Sequence, residues 1–174
     1  MKKYIWVVII VVLAVGVYWV AKNDNAIDLV ADFESCAAKG NPIMESYPRQ
    51  CRTKDGKVFV EDIGNELEKV DLIRVSDPRP NQKIGNPVTV SGEARGYWYF
   101  EASFPIQVVD SKGNVLGTGI AQAQNDWMTE EFVPFKVEVE FSAPDTSEGK
   151  LLLKKDNPSG LPENDDQLVI PVKF

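Results

Sequence analysis

The stretch Pro134-Phe135-Lys136-Val137-Glu138-Val139-Glu140-Phe141 alternates without a break. Phe135, Val137, Val139 and Phe141 fall on one side of an extended chain, and Lys136, Glu138 and Glu140 fall on the other. Successive side chains of a strand point to opposite faces, so this segment reads as a strand with one buried face and one wet face. The same period runs through Phe104, Ile106 and Val108, through Val88 and Val90, and through Leu168, Ile170 and Val172. Seven short runs of this kind follow one another, at 70–75, 87–94, 100–110, 114–123, 134–141, 149–155 and 167–174. Asp110-Ser111-Lys112-Gly113-Asn114 is suited to close a hairpin, while Asp77-Pro78-Arg79-Pro80-Asn81 and Asp156-Asn157-Pro158-Ser159-Gly160 read as loops. No amphipathic helix interrupts the series. The pattern predicts an all-β fold over residues 70–174, an antiparallel β-sandwich of immunoglobulin-like type. No cysteine falls inside it, and about 100 residues bury an adequate core without one.

Ahead of this domain, residues 23–66 have a different character. Asp28 to Lys39 reads as a short helix, with Gly40 as its C-cap and Pro42 just beyond. Arg52 to Val60 reads as a tight hairpin turning at Asp55-Gly56. Cys36 and Cys51 are the only cysteines. In an exported chain two cysteines most often pair, and a loop of about 15 residues closed in this way gains about 3 kcal/mol in the chain-entropy model. The expectation is a small α/β-hairpin module stapled by a structural disulfide. Redox chemistry is the alternative, but the spacing is not that of a CxxC pair.

Residues 1–22 contain the unbroken apolar run Tyr4–Ala21, which as a helix would rise ~27 Å, close to a bilayer core. Lys2 and Lys3 precede it, and Asp24 and Asp28 follow soon after. That asymmetry predicts a cytoplasmic N-terminus, a single-pass transmembrane anchor and an extracytoplasmic body. A cleaved signal peptide, with Ala14 and Gly16 as the small residues before the cut, is the alternative and would leave a secreted protein. Residues 22–174 carry 17 basic and 26 acidic residues, a net charge of −9.

Composition removes several classes of function. The chain has no histidine, which excludes a Ser-His-Asp or Cys-His triad and a HExxH zinc site. An isoelectric point near 4.7 argues against nucleic acid. Glu93, Glu101, Glu130, Glu131, Asp165 and Asp166 are the carboxylates from which a hydrolytic pair would have to come, but no spacing singles out a pair. Asp156, Asn157, Glu163, Asn164, Asp165 and Asp166 place oxygen ligands in one loop, a weak calcium candidate that does not follow the D-x-[DN]-x-[DN]-G pattern. No cofactor and no metal is expected. The run Tyr97-Trp98-Tyr99-Phe100, together with Trp127 in a loop, is the most informative feature. Exposed aromatics stack on sugar rings or anchor protein partners, whereas buried ones plug the end of a sandwich. On strand geometry Trp98 shares a face with Phe100, and Tyr97 and Tyr99 face the other way. Tyr97, Trp98, Tyr99 and Trp127 are therefore the candidate contacts, and Gly92 and Gly96 the candidate bends beside them.

Leu72-Ile73-Arg74-Val75, Asn86 to Gly96, Tyr99 to Ala102 and Val109 to Leu116 together resemble the immunoglobulin-like domain of bacterial spore germination proteins. That domain is often found beside the germination-sporulation GerM module, which is missing here. Gly119 to Ala123, Asp126-Trp127-Met128, Phe132 to Phe135 and Lys155 to Glu163 are similar to the same family, so the resemblance spans about residues 71–174. It implies an extracytoplasmic β-sandwich without enzymatic activity that binds or assembles at the cell envelope. The Cys36–Cys51 segment is similar to an extension found before such domains in bacterial membrane proteins. The expectation is a membrane-anchored binding module whose partner is a cell-wall glycan or an envelope protein. A structural subunit of an envelope membrane complex is the alternative.

Overall fold

The structure, a computed structural model, describes residues 30–174. The apolar run and the expected first turns of the helix at Asp28 lie outside them. Among the described residues no helix is long and apolar enough to cross a membrane.

Seven strands form the larger unit: β4 (Ile73–Asp77), β5 (Val88–Arg95), β6 (Ser103–Asp110), β7 (Val115–Ala123), β8 (Phe132–Val139), β9 (Glu148–Lys154) and β10 (Gln167–Lys173). All pair antiparallel, in the order β10-β9-β6-β7-β8-β5-β4. The β7–β8 seam is short, with only Gln122 opposite Lys136 and Ala123 opposite Phe135. That seam lets one ribbon fold into two layers, with β4, β5 and β8 facing β6, β7, β9 and β10. Phe104 of β6 meets Phe135 of β8 edge-on at 5.0 Å, and Tyr99 meets Phe104 in the same way at 5.1 Å. Ile106, Leu151, Leu153 and Ile170 fill the space beside these rings with no exposed surface. Each such side chain contributes roughly 1.5–3 kcal/mol by leaving water.

The chain crosses between layers after β4. Ile84 donates its N–H to the Lys173 carbonyl at 2.9 Å, and Lys173 donates to the Gln82 carbonyl at 3.0 Å. Lys83 and Lys173 thus form a parallel bridge on the outer edge of β10, which blunts an edge otherwise open to pairing. At the β6–β7 hairpin, Asp110 accepts from the Lys112 and Asn114 N–H groups and from the Asn114 amide. Those bonds hold its carboxyl below the ordinary range, the Asn114 side chain being the largest cause.

The smaller unit contains helix α1 (Phe33–Ala38) and the strands β1 (Ile43–Met44), β2 (Gln50–Arg52) and β3 (Val58–Val60). Asp32 caps α1: its carboxylate accepts from the Ser35 N–H at 2.8 Å and the Ser35 hydroxyl at 2.7 Å. This cap makes Phe33 the first helical residue, later than periodicity alone suggests. Gly40 follows the helix at φ 71°, a left-handed conformation glycine adopts without a Cβ clash. The Cys36–Cys51 disulfide ties α1 to β2, with Phe33 and the half-buried Val30 and Phe59 completing a small core.

The two units are joined by a segment that contains helix α2 (Glu66–Lys69). Ile63 is buried, and Asn65 lies along β10: its amide donates to the Gln167 carbonyl, and its side-chain oxygen accepts from the Val169 N–H at 2.7 Å. Gly64 sits so close to this strand that a Cβ would come within 1.9 Å of the Val169 carbonyl oxygen. The module therefore packs on the sandwich rather than swinging from it.

Candidate functional site

The aromatic run Tyr97–Phe100 does not form the strand that alternation predicts. Gly96–Trp98 is a 3-10 turn, so two consecutive residues, Trp98 and Tyr99, both turn inward. Trp98 has no exposed surface, and Tyr99 donates its hydroxyl to the Val133 carbonyl at 2.7 Å. Burial pushes the Tyr99 phenol well above its ordinary pKa. These two residues are core, not contacts, and this corrects the expectation for them. Phe100 is also the reverse of the expectation: it is 40% exposed, and Tyr97 is 50% exposed. Trp127 is half-buried and packs against the core from the loop after β7. Gly92 serves close approach within the ladder rather than a bend, and Gly96 serves both, standing where the chain coils out of β5. A Cβ at Gly92 would lie 2.0 Å from the Arg74 carbonyl oxygen across the β4–β5 ladder, and one at Gly96 would lie 1.9 Å from the Thr129 carbonyl oxygen.

Phe100 is thrown outward by the turn that follows it. Phe100 and Ser103 exchange backbone hydrogen bonds at 3.0 Å in both directions, and the two residues between them, Glu101 and Ala102, have φ of 48° and 61°. Two left-handed residues are the geometry of the tightest hairpin turn, which usually takes Asn-Gly. Here the turn is built without glycine, which costs on the order of 1–3 kcal/mol per residue.

Tyr97 and Phe100 form one wall of an open groove of about 370 Å³ at the end of the sandwich. The other wall is the loop after β9, with Pro158, Ser159 and Asn164. That loop is held by its own bonds. Asn157 donates to the Leu161 carbonyl and to the Asp165 carboxylate, and Ser159 accepts from Asn164 at 3.0 Å. It is fastened to the aromatic wall by the Asp156 N–H, which donates to the Trp98 carbonyl at 3.0 Å. Among the residues that line the groove, Lys155 (which also borders the neighbouring cavity at Asp165 and Asp166), Asp156 and Tyr97 make no side-chain hydrogen bond or ion pair within the described residues.

The loop's calcium candidates are dispersed. Asp165 accepts from Asn157, Asp166 pairs with Lys69 at 2.6 Å, and Glu163 is exposed in a 3-10 turn. Among the described residues no three acidic, histidine or cysteine side chains gather as a metal site. The hydrolytic candidates have other roles. Glu93 pairs with Arg74 at 3.2 Å, Glu131 lies 3.8 Å from Arg95, and Glu101 sits in the strained turn.

A second cavity, about 310 Å³, lies between the module and the sandwich, bounded by Phe33, Glu61, Asn81, Glu148 and Lys173. Two of its lining residues, Glu61 and Asn81, belong to a charged clasp between the units. Arg49 holds the buried Glu61 with two bonds, at 2.8 and 2.5 Å, and Asn81 adds a third. Arg49 lowers the Glu61 carboxyl against the opposing effect of burial. Arg79 binds the buried Glu66 at 2.7 Å and the Val75 carbonyl at 2.7 Å, while Tyr47 donates to the same carboxylate. Lys173 pairs with Glu34 across the same boundary. Sequence reasoning missed Phe100 because the strand assignment ran through it. It missed Glu61, Glu66 and Arg79 because charged residues in a linker read as solvated.

No curated protein and no solved structure matches the chain significantly. The family described as the immunoglobulin-like domain of bacterial spore germination matches residues 72–160, from the start of β4 into the loop that walls the groove. With more than half of its length accounted for in this way, and with the sandwich the match implies, the chain belongs to that family.

Proposed function

We propose that this protein is a germination-related, non-enzymatic binding module of the cell envelope, tethered to the membrane and facing out of the cytoplasm. The observation that carries the reading is the groove: two half-exposed aromatic residues share its lining with polar residues whose side chains have no partner of their own among the described residues. Rings left in water beside unpaired donors and acceptors suit a ligand better than they suit the fold. Three further features support it. The family is that of an immunoglobulin-like domain, a kind of domain that is not typically enzymatic. The Cys36–Cys51 disulfide suits an oxidising compartment. The Tyr4–Ala21 run has the length and charge flanks of an outward-directed anchor.

The test has two arms. The full chain is expressed in a bacterium, and intact spheroplasts are treated with protease. Loss of the sandwich without lysis is expected, and protection until lysis would overturn the placement. Detergent-solubilised full chain is then sedimented with purified envelope. Saturable co-sedimentation is expected, and none would overturn the binding role.

A further inference from the structure

We infer that the groove between Tyr97 and Pro158 is a subsite for an uncharged pyranose, as found along a cell-wall polysaccharide. This rests on the envelope-binding reading above and names the ligand class for it. A pyranose has an apolar face of axial C–H groups and a rim of hydroxyls. The groove has the matching division. Tyr97 and Phe100 supply aromatic rings to its lining and are 50% and 40% exposed. The Asn164 side chain and the Lys155–Asp156 pair supply polar groups to the same lining. A ring stacked on Tyr97 or Phe100 turns its hydroxyls toward those groups.

The charges decide between ligand classes. Lys155 and Asp156 sit side by side, carry opposite signs, and form no ion pair or hydrogen bond through their side chains within the described residues. Their sum is zero, so the groove asks for no net charge in its ligand. Of the two, Asp156 lines this groove alone and offers an acceptor to a sugar hydroxyl in a charge-assisted bond stronger than a neutral one, while Lys155 borders both this groove and the cavity beside it. An extended peptide is a poorer fit. Its backbone needs a free strand edge to pair with, whereas this groove is walled by a 3-10 turn, a hairpin turn and a loop.

Size and rigidity agree. About 370 Å³ is at the small end of the range for small-molecule sites, enough for one or two sugar rings. Both walls are set before a ligand arrives, one by the Glu101-Ala102 turn and the other by the Asn157, Ser159 and Asn164 bonds. Preorganisation lowers the ordering cost of binding.

The experiment titrates detergent-solubilised full chain with the tetramer of β-1,4-linked N-acetylglucosamine, and separately with peptidoglycan stem peptides, followed by NMR. The sugar is expected to shift the signals of Tyr97, Phe100 and Asn164. Tyr97→Ala and Phe100→Ala are each expected to weaken it at least tenfold, while Ile120→Ala, a half-exposed residue on β7, leaves it unchanged. Tyr97→Phe is expected to retain most of the affinity, since it keeps the ring. Absence of sugar binding, shifts confined to other surfaces, or binding of the stem peptide instead would overturn the subsite. Envelope co-sedimentation that persists in the folded Tyr97→Ala/Phe100→Ala variant would also overturn it, while leaving the proposed function standing.

Discussion

Tyr97 and Trp98 are neighbours in the chain and opposites in the fold. Trp98 is fully enclosed, and its indole N–H finds no hydrogen-bond partner within the described residues. Its ring fills the end of the sandwich, so Trp98→Ala is expected to cost about 3–5 kcal/mol in urea unfolding, whereas Tyr97→Ala is expected to stay within about 0.5 kcal/mol. Trp98→Phe is expected to fall well short of the alanine variant, because it leaves a smaller void and removes the orphan donor. Equal losses for Tyr97→Ala and Trp98→Ala would contradict the burial assigned to this turn. Phe132 shows a different use of an aromatic residue: the Arg74 and Arg95 guanidinium groups each lie 4.1 Å from its ring centroid, which covers a half-buried face with charge.

At the scale of elements, period-two patterning made the sandwich legible. The expected run at 134–141 is β8 at Phe132–Val139, and the run at 87–94 is β5 at Val88–Arg95. The Asp110–Asn114 and Asp55-Gly56 turns stand where turn chemistry put them. The groove was half legible. Alternation placed Tyr97 outward and Trp98 inward, as observed, but reversed Tyr99 and Phe100, because it presumes an extended backbone and this backbone coils at Gly96. The clasp was not legible at all, since pairing between Glu61, Arg49 and Asn81 depends on a tertiary approach that no local pattern encodes. The module's elements are too short to hold without covalent help: α1 has six residues and β1 has two. Replacing both Cys36 and Cys51 with Ser is expected to cost about 3 kcal/mol locally. Hydrogen exchange in α1 and β1–β3 should then rise toward unprotected rates while β5 and β8 keep theirs. A uniform loss across both units would show that the module and the sandwich unfold as one.

For the whole molecule, the clasp sets how the two units respond to pH. Arg49 holds the Glu61 carboxyl below its ordinary value of 4.5, so its contribution is fully present above that value and is lost as pH falls through the depressed one. Protection of residues 61–69 is therefore expected to decline with acidification below 4.5 before the sandwich unfolds. Glu61→Gln should weaken the clasp at neutral pH and flatten that acid response. A Glu61→Gln protein with an unchanged acid profile would place the sensitivity elsewhere. The same segment has a mechanical consequence. The chain entering from residue 30 does not lead straight into β4; it is first pinned along β10 by Asn65 and by the Lys69–Asp166 pair. Tension applied at the N-terminal end is thus delivered to the last strand before it reaches the first. In a pulling experiment the first rupture should be the peeling of residues 63–69 from β10, at a force that falls in Asn65→Ala. Only after that slack is released would the load fall on β4, so the joint works as a strain relief between the N-terminal module and the sandwich.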